Sequence, residues 1–365
     1  LHRAASGGFG GFYPSANWPA QFLALTMGGR TLYIACHDGL SGTKWFSFDV
    51  GRDFRFTLAP PDMAVPGADF EQDFDAVLKP IRGNWFDACL EYRKWALKQR
   101  WAPERPVKDR DTPEGFKRIC LWICENGPPE KIVPGVERAL SFFRVPMGLH
   151  WYCWHQIPFD NDYPHYFPAK PGFKEAVARL VGKGLFVMPY INGRLWDSDT
   201  PDFPEALPFA TKGLDGKFYV EIYGSGEKLV PMCPYTKFWG DKLVGIVKRL
   251  VEEFGVNAVY IDQVAAAGPR LCFDRTHGHP LGGGHWWVDG YYRILRRIRA
   301  IAPGRLAMTS ENNCEAYMRW FDAFLTWTWR HPDMAPLYDA VYGARILRFA
   351  SPGLGGGGDD DTAFR

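Results

Sequence analysis

From about residue 118 onward, short apolar runs alternate with longer stretches that carry apolar residues at helical spacing, and this alternation constrains the chain to a parallel α/β structure. The candidate strands are 118–124, 147–154, 185–191, 258–262, 306–310 and 323–329, with 340–350 as a seventh. The candidate helices are 136–143, 174–183, 238–254 and 287–301. Continuous apolar runs, in place of strict alternation, mark strands covered on both faces. The helix-to-strand turns are short and carry Gly184, Gly255 or Pro303-Gly304, whereas the strand ends carry polar and aromatic residues. Two rims that differ in this way predict a (β/α)8 TIM-type barrel. A doubly wound open sheet is the alternative, but no GxGxxG follows a strand. Too few strands precede the glycine run at Gly355 for a barrel to close, and Leu1 is not preceded by Met. The expected barrel is therefore incomplete at its C-terminal end, and the chain reads as a fragment or processed form.

Residues 1–83 have a different texture, with apolar and polar residues alternating between turn signals; segments 21–27 and 31–37 flank Gly28-Gly29-Arg30 as a hairpin. A β-sandwich domain is expected there. Residues 84–112 read as a helix, with Trp85, Ala88, Cys89, Tyr92, Trp95 and Ala96 on one face, followed by a linker rich in proline. Residues 113–365 are assigned to the barrel.

The formal net charge of +2 gives no electrostatic case for a nucleic-acid partner, and no apolar run reaches membrane-spanning length. The eight cysteines are scattered without a CxxC pair, which argues against a structural zinc site; Cys120, Cys124 and Cys153 are expected inside buried strands. No cofactor is implied. Aromatic residues make up 16% of the chain, with 15 Trp, so platforms for sugar rings are available as well as core filling.

The chemistry gathers at the strand ends. Val259-Tyr260-Ile261 runs into Asp262-Gln263, and Leu306-Ala307-Met308-Thr309-Ser310 runs into Glu311-Asn312. Carboxylates that end successive barrel strands are the pair that glycosidic cleavage needs, one as acid and one as base or nucleophile. Glu315, four residues after Glu311, competes for the acid role if that segment is helical. The other strand ends offer Glu125, Trp151, Trp154, His155, Tyr190, Asn192 and Arg194 for substrate hydroxyls and ring faces, and later Trp327, Trp329, Arg330 and His331. The bland alternative for Asp262 is a helix cap or an ion pair with Arg194. The loop 272–287 adds His277, His279, His285 and Trp286 among glycines; a polar cleft lining is expected, with metal ligation as the alternative. No G-x-S-x-G elbow is present.

Val259 to Gln263, the His/Gly loop, Thr309-Ser310-Glu311 and Met232-Cys233-Pro234 together resemble a poorly characterised family of glycoside-hydrolase-like proteins, over about residues 20–340. The resemblance implies a β-sandwich followed by a TIM barrel. More distantly, Asp at strand four with Glu at strand five is similar to endo-alpha-N-acetylgalactosaminidases and the alpha-amylase clan. That similarity implies Asp262 as nucleophile, Glu311 as acid/base and retention at an α-linkage of an oligo- or polysaccharide. The amylase-type pattern also uses a later Asp, for which Asp333 is the match. A glycan-degrading role favours a secreted or periplasmic setting. Two other functions stand beside this one: a catalytically silent sugar-binding barrel, and a metal-dependent hydrolase built on His277, His279 and His285.

Overall fold

The computed structural model describes residues 8–49, 53–326 and 335–349. Its first part contains β1 (Phe9–Tyr13), β2 (Phe22–Met27), β3 (Arg30–His37), β4 (Lys44–Asp49), β5 (Asp53–Leu58) and β6 (Asp75–Arg82). They form two antiparallel three-stranded sheets, ordered β1-β4-β5 and β2-β3-β6. The expected hairpin is present, with Met27 paired to Arg30 across the glycine turn. Tyr13 and Phe46 from one sheet share a small buried core with Leu23 and Cys36 from the other. Helix α1 (Trp85–Ala96) starts at Asn84, whose side chain accepts from Phe86 N–H while Asp87 accepts from the Asn84 N–H. Its buried residues Ala88, Cys89, Tyr92 and Ala96 join the main core of the molecule.

The rest follows strand-helix alternation: α2 (Glu114–Lys117), β7 (Leu121–Asn126), α3 (Pro129–Phe143), β8 (Met147–Tyr152), α4 (Phe173–Gly182) and β9 (Phe186–Asn192). An excursion then contains β10 (Leu195–Asp197), α5 (Phe203–Ala206), β11 (Glu221–Ile222) and β12 (Lys228–Pro231). Regular alternation resumes with α6 (Lys237–Glu252), β13 (Ala258–Asp262), α7 (Trp286–Arg299), β14 (Ala307–Glu311), β15 (Ala323–Leu325), α8 (Leu337–Tyr342) and β16 (Leu347–Phe349). Seven of these strands form one parallel sheet in the order β7-β8-β9-β13-β14-β15-β16, and β10, β11 and β12 make a separate small antiparallel sheet. The large sheet curls until Trp122 of β7 stacks on Phe349 of β16, ring centroids 4.6 Å apart. Among the described residues no backbone pairing joins these two edges.

Strand β13 occupies the expected residues, whereas β7 begins three residues later than expected because α2 runs up to its C-cap at Arg118. Cys120, which precedes β7, and Cys124 within it are exposed and Cys153 is half-buried, contrary to the expectation of buried strand positions. No helix among the described residues is long and apolar enough to cross a membrane.

Candidate active site

Strands β13 and β14 pair in parallel with Tyr260 opposite Thr309 and Ile261 opposite Ser310. The next residues are Asp262 and Glu311. Side chains alternate along a strand, so both carboxyl groups leave the same face at the same level, on backbones about 4.8 Å apart. Each strand then ends on a left-handed residue, Gln263 with φ 65° and Asn312 with φ 55°. For a non-glycine residue that conformation costs about 1 kcal/mol, and such strain gathers where a chain must aim a side chain.

Asp262 keeps partial solvent access. Burial, and after it the charge of Glu311, pushes its carboxyl well above the usual carboxylate range. The Tyr190 hydroxyl donates to Oδ2 at 2.8 Å, and the Gln263 N–H donates as well; both favour the ionised form. Around the pair lies an aromatic wall. Tyr152 stacks on Tyr190 at 4.9 Å, and His150 lies 4.3 Å from the Tyr260 ring. Burial lowers the pKa of His150 to about 3, so this imidazole is neutral. Phe159, 43% exposed, packs its ring against Tyr152 and Tyr190. Next to it, Asp160 is raised by burial and adds its charge to the field at Asp262. Phe159 and Asp160 lie in the loop after β8, where no periodicity in the sequence singles them out.

Of the residues expected at the rim, Tyr190 reaches Asp262 directly. Trp151 and Trp154 do not join it. Both are fully buried against Phe173 of α4, with indole N–H groups donating to Gly127 O and Tyr190 O. The reason is strand alternation: His150 and Tyr152 take the inner face, and Trp151 takes the outer one. Glu125, opposite Trp151 in the β7–β8 ladder, shares that outer face, while Asn126 pairs with Tyr152 on the inner face. His155 is buried beside Trp154 and Tyr166 and bonds Ile157 O through Nδ1. The Asn192 side-chain oxygen accepts from the backbone N–H groups of Arg194 and Leu195, which shapes the turn after β9.

Arg194 is committed elsewhere, in a two-pronged ion pair with Glu221 at 2.6 and 2.8 Å, and it also donates to Gln263 Oε1 at 3.3 Å. Burial pushes Glu221 up, but the hydrogen bonds and charge of Arg194 prevail and hold it at about 2. The ion pair considered for Asp262 is therefore made by Glu221, from the excursion after β9. Trp286 is buried, stacked on His279 at 3.8 Å, with its N–H on Gly282 O, so it is no exposed platform.

The three loop histidines separate. His285 stands at the start of α7 and pairs through Nδ1 with Asp289 at 2.6 Å. His277 and His279 turn instead to Cys233, with ligand-capable atoms of all three residues within 4.8 Å of one another. Trp327, Trp329, Arg330, His331 and Asp333 lie outside the described residues.

Glu315 does not share the mouth. It is fully buried in a short 3-10 turn, where its carboxylate accepts from the hydroxyls of Tyr13, Tyr92 and Tyr342 at 3.1, 2.8 and 2.5 Å. Burial raises its pKa to about 7, against the pull of those three bonds.

A family profile described as Domain of unknown function (DUF6259) matches residues 70–351. The chain belongs to that family. A protein of Bacteroides thetaiotaomicron named "Putative glycoside hydrolase" is 31% identical over 345 residues, covering 92% of this chain and 51% of the relative. The DUF6259 chain thus spans about half the length of that relative. Among solved structures, an alpha-N-acetylgalactosaminidase from Bifidobacterium bifidum superposes with a TM-score of 0.73 at 13% identity, over 92% of this chain and 58% of its own. An alpha-galactosidase from Thermus thermophilus superposes at 0.55 with 12% identity, over 83% of this chain and 55% of its own. These structures establish likeness of fold to glycosidases.

Proposed function

We propose that the open end of the parallel sheet is a retaining glycosidase site for an α-linked sugar of the galactose type. The observation that carries this is the placement of Asp262 and Glu311 at one level of adjacent strands, close enough for Glu311 to raise Asp262. The charge on either of two such carboxyl groups opposes ionisation of the other. Donation by Tyr190 and the Gln263 N–H favours the ionised form of Asp262, the form the nucleophile role needs, and the acid role falls to Glu311. Neighbouring strands spaced by about 4.8 Å support a carboxyl separation near the roughly 5–5.5 Å that retention needs.

In the first step an oxygen of Asp262 bonds to the anomeric carbon as the glycosidic C–O bond breaks, and the Glu311 proton passes to the leaving oxygen. In the second, water attacks the same carbon, gives a proton to Glu311 and restores the Asp262 carboxylate. Phe159 offers an exposed ring at the mouth for an apolar sugar face. The galactose-type preference draws on the names of the two solved glycosidases and on nothing finer in the cleft.

The test is hydrolysis of paired aryl α- and β-galactosides and N-acetylgalactosaminides by the native chain, Asp262→Asn and Glu311→Gln, with the first-formed anomer followed by proton NMR. The α-substrates are expected to react with retention and both variants to lose activity. Full activity in both variants would remove the carboxylates from the mechanism, and an inverted first product would remove the covalent step.

A further inference from the structure

We propose that Cys233, Cys272, His277 and His279 form a structural zinc site, which fastens the loop after Asp262 to the segment following β12. The loop folds back on itself through a bridge between Cys272 and Gly282, with both histidines at its tip. Cys233 arrives from the other side, immediately after β12. All four side chains are buried and both thiols are free. The Cys272 sulfur lies 3.4 Å from His277 Nδ1, and Cys233 and His279 are its other close polar neighbours. Bonds of 2.0–2.1 Å to nitrogen and 2.3 Å to sulfur in a tetrahedron put neighbouring donors about 3.5 Å apart, which the Cys272–His277 distance matches, and the ligand atoms of Cys233, His277 and His279 lie within 4.8 Å of one another.

The imidazoles carry the stronger argument. His277 Nε2 meets Pro208 O at 2.8 Å, and His279 Nδ1 meets Pro280 O at 2.8 Å. Each ring therefore directs one N–H to a backbone carbonyl and leaves its other nitrogen as a lone pair, the arrangement that orients metal-bound histidine. In His279 that second nitrogen, Nε2, is buried without any hydrogen-bond partner, which is costly unless something else fills the position. Two thiolates and two neutral imidazoles suit zinc and complete its tetrahedron. A closed set leaves no position for water, so the site holds structure and does no hydrolysis. It excludes His285, and it is independent of the glycosidase reading.

The test is elemental analysis of the chain purified under reducing conditions, followed by titration of the chelator-stripped protein with zinc alone and with cobalt(II) alone. One zinc per chain and a visible tetrahedral thiolate spectrum with cobalt are expected. Cys233→Ser and His279→Gln should lower zinc affinity more than 10-fold, since losing even a hydrogen-bond partner of a metal ligand typically costs about 10–100-fold, while His285→Ala retains the full complement. Native chain that holds no stoichiometric zinc, or a Cys233–Cys272 disulfide found by mass spectrometry in its place, would overturn the proposal. So would His285→Ala losing zinc as readily as His279→Gln.

Discussion

The mouth of the parallel sheet and the tyrosine cage around Glu315 both hold carboxyl groups pushed upward by burial, yet the two regions differ in what surrounds the acid. Glu315 meets three phenolic hydroxyls, contributed by β1, α1 and α8, with no accessible surface left. Asp262 meets the phenols of Tyr190 and Tyr260, one backbone N–H and a second carboxylate, and it retains an opening to solvent. A raised carboxyl is therefore no sign of chemistry by itself. In the cage it records how the N-terminal sheets and two helices are fastened together; in the mouth it records burial together with the charge of a neighbouring acid, beside an opening to solvent.

That contrast breaks first, and most severely, at Asp262. Asp262→Asn removes the attacking oxygen while preserving shape, and kcat/KM on an α-linked substrate should fall by roughly 10⁴-fold. Steady-state kinetics on the purified variant checks this, and a loss under 10-fold would return Asp262 to the role of a structural acid. Glu311→Gln comes next, with a loss of roughly 10²–10⁴-fold for substrates with poor leaving groups and much less for activated aryl glycosides. A uniform loss across leaving groups would argue against proton donation.

Glu315→Gln should spare kcat while changing the pH dependence of stability. Below the ordinary value of 4.5 the carboxyl is protonated in folded and unfolded chains alike, and its contribution is fully present. Between 4.5 and about 7 the unfolded chain ionises while the cage resists, so stability falls as pH rises, by up to about 3 kcal/mol, and stays low above that window. Urea unfolding at pH 4.5 and 7.5 should show this slope in the native chain and its loss in Glu315→Gln; identical slopes would refute the cage. Phe159→Ala is the mildest change. Loss of a stacking platform worth about 1 kcal/mol should raise KM some 5-fold with kcat little altered.

Much of this division was legible in the chain itself. The apolar run into Asp262 marks β13 to the residue, because a strand covered on both faces has no polar alternation and stops where solvent begins. The same property hid which way the tryptophans point. Along β8 both faces are aromatic, so nothing in the residues says that Tyr152 looks inward and Trp151 outward. Strands β10, β11 and β12 have two to four residues each, too short for a period, and with them went Glu221, the partner of Arg194. Of the Cys/His cluster the sequence offered His277 and His279 as possible ligands but not the cysteines, because Cys233 and Cys272 lie in two loops on different sides of α6 and β13 and show no CxxC spacing. Glu315 was visible as a rival to Glu311, but the tyrosines that seal it are distant in sequence, two of them hundreds of residues away.

The most direct test of the mouth is to trap its covalent intermediate. The chain is incubated with a fluorinated α-galactosyl or α-N-acetylgalactosaminyl fluoride that forms the glycosyl-enzyme readily and releases it slowly, then digested and mapped by mass spectrometry. The account predicts one sugar per chain, attached to the peptide containing Asp262 and absent from Asp262→Asn. Turnover of the parent substrates with the label on any other carboxylate, Glu311 included, would contradict it.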